Sequence, residues 1–178
     1  MKNNRLIYTY TKLRRIKKSN NFLLLETKLT STLTILASVA AGHFFGALIV
    51  YLNHRFIFHT KLGNLPLLRQ TKKLHLMHHA HAYNEKRNKY IFVPSGWQLI
   101  IAIKILLIGI FTNIWFAAGI TTFAVLYSYR HYSIHNKDKK SVFFKHHKVH
   151  HINPRYNFSG IYPFIDSIFG TSLKKKET

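Results

Sequence analysis

The sequence contains no cysteine. That excludes disulfides, iron–sulfur clusters and thiolate metal sites, and says little about compartment. Acidic side chains are also scarce: five Asp and Glu stand against 27 Lys and Arg. With no thiol and so few carboxylates, any metal site must be built mainly from imidazole. Histidine is the residue in excess, thirteen in 178 positions. The length suits one domain with a real core. Apolar residues make up 47% and aromatics 15%. They are collected into long blocks and do not interleave with the basic residues as in a nucleic-acid recognition module. The expected partner of the positive charge is a membrane surface, and no nucleic acid is expected.

Residues 1–30 form a basic N-terminal arm, with Arg5, Lys12, Arg14, Arg15, Lys17 and Lys18. It is expected to be flexible or to lie on anionic lipid. It does not read as a cleavable signal, since no small-residue cleavage site follows the apolar run. Residues 33–51, LTILASVAAGHFFGALIVY, carry no acid, Lys or Arg. As a helix they reach ~28 Å, about the hydrocarbon thickness of a bilayer. Ala41, Gly42, Gly46 and Ala47 make a small-residue seam suited to close helix packing. Residues 53–96 are polar and basic; NEKRNKY reads as a loop, and Trp97 as an interfacial anchor. Residues 98–128 are apolar but interrupted at TNIW, 112–115. One helix of ~45 Å is too long for a bilayer without strong tilt. Two helices turning near Thr112 and Asn113 fit better, as a re-entrant or deeply leaning hairpin. Such a hairpin returns the chain to the side it left, so histidines before and after it can meet. Residues 174–178 are a basic tail.

Ten histidines fall into four groups: His54 and His59; His75, His78 and His79; His131 and His135; His147, His150 and His151. Positions i, i+3 and i+4 share a helix face, so both HxxHH groups can point inward together. His131 and His135 are one turn apart. His54 and His59 sit ~140° apart on an ideal α-helix. Either they address two metals, or the helix loosens at its polar end. Ten facing imidazoles would leave many buried nitrogens unsatisfied. A metal pair resolves this, each ion taking about five nitrogens, whereas one structural zinc needs four. Donor type alone does not choose between iron, copper and zinc. Two nitrogen-ligated metals near a membrane point to oxygen activation rather than hydrolysis. A surface patch, a tag or a pH sensor would not require the repeated spacing. His43 reads as a packed or hydrogen-bonded residue of the membrane segment, and His81 and His146 as groups supporting the ligands.

The ordered set HxxxxH, HxxHH, HxxxH, HxxHH resembles the fatty acid hydroxylase and sterol desaturase superfamily, closest to the fatty acid 2-hydroxylases. The likeness runs from about Gly46 to Thr171. It is carried by YLNHRFIFH, YSYRHYSIH, FFKHHKVHHINPRYNFSG and the closing YPFIDSIFGT, with Asp166 and Gly170. KYIFVPSGW departs from the pattern, with one proline, Pro94, then Ser95, where the family often has Pro-Pro. The resemblance implies an all-α fold: membrane helices with a cytoplasmic-side helical cap holding a dimetal site, within a catalytic domain at 31–173. It implies two iron ions on the ten grouped histidines, with zinc able to replace them in a preparation, and O2 as co-substrate. The substrate would be a membrane lipid or lipid-linked acyl chain. No heme-binding donor domain stands ahead of the boxes in this sequence, so a separate electron-donor protein is expected. The membrane would be a bacterial inner membrane or the endoplasmic reticulum. The alternatives are a sterol desaturase or carotenoid ring hydroxylase, or a non-catalytic membrane metal-binding protein.

Overall fold

The computed structural model describes residues 2–81, 95–136 and 141–173. Among these residues every regular element is helical and there is no strand. The expected loop at 84–90, Pro94, the Trp97 side chain and the tail at 174–178 lie outside what is described. The chain divides into two compact units, Met1–Ser38 and Val39–Thr178.

Helix α1 comprises Lys2–Leu52, so the basic stretch expected as an arm is helical. In the first unit its hydroxyls close on its own backbone: Thr27 donates to the Leu23 carbonyl and Thr30 to the Glu26 carbonyl, each at 2.8 Å. Back-bonding of this kind satisfies a hydroxyl without any other partner. Lys17–Phe58 is the one span among the described residues long and apolar enough to cross a membrane, by length and composition.

In the second unit, helices α3 (Ser95–Phe111) and α4 (Ile114–Asn136) form the hairpin that the sequence predicts, breaking at Thr112 and Asn113. The reason is local. Asn113 caps α4 by accepting the Phe116 N–H at 2.8 Å, which satisfies an orphan donor of the first turn. Helix α4 then packs directly on α1. A Cβ at Gly42 would lie 2.0 Å from the Phe116 carbonyl oxygen, and one at Gly119 2.1 Å from the Val39 carbonyl oxygen. The backbones touch because neither glycine has a side chain, as small-residue seams in membranes permit. Gly46 meets the Phe123 ring in the same way. Away from this contact the helices remain apolar on the outside: Phe44, Ile49, Leu106, Ile110 and Val125 are all exposed. Bare apolar surface of this extent suits lipid rather than water.

A small core of Ala47, Tyr51, Phe123, Phe158, Ile161 and Ile165 lies where α1 and α4 meet the C-terminal segment. The histidine-bearing polar helices are α2 (Arg69–His81) and α5 (Val142–Ile152), while the short α6 (Pro163–Ile168) gives Ile165 to the core. Ser141 caps α5 by accepting the Phe144 N–H at 3.1 Å.

Candidate metal centre

The histidines are presented by four helical pieces. The end of α1 does not continue as an α-helix: Asn53–Phe58 is a π-helical turn. Its i→i+5 hydrogen bonding makes residues five apart neighbours. The loosening that HRFIFH allowed is therefore what occurs, and the His54 and His59 rings lie 5.1 Å apart, centroid to centroid. On α2, His75 and His79 are on one face, one turn apart, with His78 beside them. Helix α5 repeats the spacing with His147, His150 and His151. Helix α4 brings His131 and His135 back to the same end of the molecule.

The result is two groups. The nitrogens of His54, His59, His75, His79 and His150 all lie within 4.8 Å of one another, and so do those of His78, His135, His147 and His151. The groups adjoin, with the His79 and His151 rings 4.2 Å apart. Each of the two HxxHH motifs serves both groups, because their outward fan over one helical turn spans the gap. His131, expected among the ligands, is not in either converging set. It is buried beside the four-histidine group, 4.7 Å from the His78 ring and stacked at 5.4 Å on Tyr127.

The donor chemistry fits a cation. His150 Nδ1 donates to the Tyr156 carbonyl at 2.7 Å, and His54 Nδ1 donates to the Phe158 carbonyl. A carbonyl only accepts, so in each neutral ring Nδ1 carries the proton and Nε2 offers a lone pair. His54 Nε2 is buried with no hydrogen-bond partner. His150 Nε2 lies 3.1 Å from Nε2 of both His59 and His79, and the His59 and His75 Nε2 atoms are 2.9 Å apart. Lone pairs crowded at this distance repel unless a positive charge sits among them. Protons do not supply it. Burial, then neighbouring imidazoles, hold His79 down to about 3; burial, His150 and Lys72 hold His59 at about 4. Burial also lowers His150 to about 4, despite its bond to Tyr156 and the nearby Asp166 carboxylate. His75, His147 and His151 are lowered by the same causes. A nest of neutral imidazoles at pH 7 is a ligand set for a transition metal.

The carbonyls that fix these tautomers belong to the loop after α5, and that loop is pinned by Asp166. The Asp166 side chain is fully buried. One carboxylate oxygen accepts the Phe158 N–H and the Thr171 hydroxyl, each at 2.7 Å; the other accepts the Ser159 N–H and His146 Nε2, each at 2.9 Å. Burial alone would raise its pKa, but the bonds from His146, Ser159 and Thr171 outweigh it and hold the carboxyl below its ordinary value. Asn157 adopts a left-handed φ of 59°, and its side chain donates to the His146 carbonyl and accepts the Leu173 N–H. Sequence reasoning placed Asp166 only in a closing segment and missed this role. A lone acid inside the apolar run YPFIDSIFG was the signal, since an acid there must be paired. His146, expected as a group supporting the ligands, bonds to Asp166 and not to a grouped histidine. His43 is hydrogen-bonded to Thr122 at 3.1 Å and Tyr162 at 2.7 Å, away from the cluster. His81 closes α2 and belongs to neither group.

These features define a class: an all-helical protein with a long apolar helix and a paired, histidine-only cluster compatible with metal. Residues 39–171 match the sequence model of the family described as fatty acid hydroxylase. The chain belongs to the fatty acid hydroxylase family, a hydroxylase- or desaturase-type oxidase of that superfamily. No curated protein and no solved structure matches it.

Proposed function

We propose that this protein is a membrane-bound, di-iron, O2-dependent monooxygenase that hydroxylates a lipid acyl chain. The observation that carries the reading is the pair of adjoining histidine groups, five and four residues strong, in a chain of this family. An unactivated C–H bond has no acid–base route at neutral pH, so bound iron supplies the oxidising power. His54, His59, His75, His79 and His150 would hold one ion; His78, His135, His147 and His151 the other, with His131 beside it. One oxygen atom enters the C–H bond and the other leaves as water, consuming two electrons and two protons from outside.

The chain's own residues hold the ligands and keep water out. The Tyr156 and Phe158 carbonyls orient two imidazoles. The Phe158 ring, part of the buried apolar core, lies 5.6 to 5.9 Å from the His54, His59 and His150 rings and shields that side of the cluster. The reacting side faces the cytoplasm in this reading, across a bacterial inner membrane or the endoplasmic reticulum. The excess of Lys and Arg over acids favours an anionic lipid surface and an acidic electron-donor protein.

The test is oxygen uptake by iron-loaded protein with a reductant and lipid, followed by mass analysis of the lipid. A gain of one oxygen atom is expected. Loss of two hydrogens would make it a desaturase. Two metals per chain without turnover would make it a metal-binding protein and end the proposal.

A further inference from the structure

We propose that Asp166 is a positioning residue that sets the five-histidine group selectively, through a single peptide plane; this rests on the reading of that group as a metal site. The Phe158–Ser159 peptide connects the two. Its N–H, from Ser159, donates to Asp166 at 2.9 Å, and its C=O, from Phe158, accepts His54 Nδ1. A peptide unit is rigid and planar, so fixing one end fixes the other. The carboxylate thus decides where the Phe158 carbonyl points, and that carbonyl decides the tautomer and tilt of His54. The Asp166 charge also polarises the peptide, which makes its carbonyl a stronger acceptor and His54 Nε2 a better donor to a metal.

The same carboxylate holds the Phe158 N–H, two residues beyond the Tyr156 carbonyl that fixes His150. Both ligands oriented by this loop belong to the five-histidine group. Asparagine at 166 would keep the shape. Its amide, however, would turn an NH2 toward either the Ser159 N–H and His146 or the Phe158 N–H and Thr171. The His146 ring and the Thr171 hydroxyl can switch to accepting, but a backbone N–H cannot, so in either orientation one backbone N–H of this loop loses its acceptor and its peptide plane turns.

The experiment titrates Co(II) into purified full-length protein, against a competing chelator, in four backgrounds. His135→Ala isolates the five-histidine group and His59→Ala isolates the four-histidine group; each is made with and without Asp166→Asn. In the His135→Ala background, Asp166→Asn is expected to weaken Co(II) binding ~10–100-fold, the range seen when a group behind a metal ligand is lost. In the His59→Ala background it is expected to leave affinity unchanged. A merely structural role would weaken both equally, and that result would overturn the proposal, as would no change in either. If Asp166→Asn does not fold, Thr171→Val removes one of the four donors and must show the same one-sided weakening, at smaller size. Failure of the native sequence to bind Co(II) at all would instead overturn the metal reading itself.

Discussion

His54 and His59 are five residues apart and share one converging group, because the helix between them is π-helical rather than α-helical. The extra residue per turn is therefore part of the site. Such turns are costly relative to an α-helix and are retained mainly where function uses them. Inserting one alanine after Phe56 would set His54 and His59 six apart, a spacing that neither an α turn nor a π turn aligns, and should turn them out of register. Metal analysis should then find the five-histidine site empty and the four-histidine site filled. Two ions per chain would show that the π turn is dispensable.

The crossing of α1 and α4 leaves no room at two glycines. Gly119→Ala would place a Cβ 2.1 Å from the Val39 carbonyl oxygen and 2.8 Å from the His43 nitrogen, both backbone atoms that cannot swing aside. Overpacking of this sort costs ~1–3 kcal/mol. Gly42→Ala should behave alike. Thermal unfolding in detergent checks this; unchanged midpoints for both variants would mean the helices do not pack as described.

Acid should release metal and weaken the metal-free protein. His59 and His150 titrate at about 4 and His79 at about 3, against an ordinary value near 6.5 for an exposed imidazole. Between about 6.5 and these values the unfolded chain binds protons that the folded chain does not, so stability falls as pH falls through that window. Above pH 7 these groups are neutral in both states and contribute no slope. Denaturant midpoints of metal-free protein at pH 7.5, 6 and 5 should therefore decline in that order. Saturating metal should raise each midpoint, most at the higher pH, where protons compete least.

Ligand and non-ligand histidines should separate cleanly. His150→Ala removes a fully buried ring whose Nδ1 bonds the Tyr156 carbonyl and whose Nε2 meets His59 and His79; turnover should vanish and metal content fall. His43→Ala loses only the hydrogen bonds to Thr122 and Tyr162. Its cost should be ~1–3 kcal/mol of stability, with metal content intact. Elemental analysis beside oxygen uptake distinguishes the two, and equal metal loss in both would place His43 in the site.

Much of the site was legible because its spacings are short and periodic. HxxHH puts three imidazoles on one helical arc whatever surrounds it, and the break at Thr112 and Asn113 follows from a capping side chain within the same few residues. The hairpin was legible from length alone. The π turn was not decided: HxxxxH fits either two separate metals or a widened helix, and only packing chooses. His131 illustrates the same limit. Its spacing to His135 is that of a ligand pair, and its ring lies 4.7 to 5.0 Å from the His78, His135 and His147 rings while stacking on Tyr127, yet it falls outside both sets of nitrogens that lie within 4.8 Å of one another.

By itself the sequence determined the helical class, the imidazole character of the cluster and the grouping of the ligands on their helices, since each depends on composition or on contacts within a turn or two. Only the tertiary structure decided how nine nitrogens divide into five and four, which carbonyls set their tautomers, and that Asp166 anchors those carbonyls. Those facts depend on groups 7 to 91 residues apart meeting at distances near 3 Å. No local pattern encodes such a meeting; it follows from two glycines that let α1 and α4 touch and from a buried carboxylate that had to find four donors.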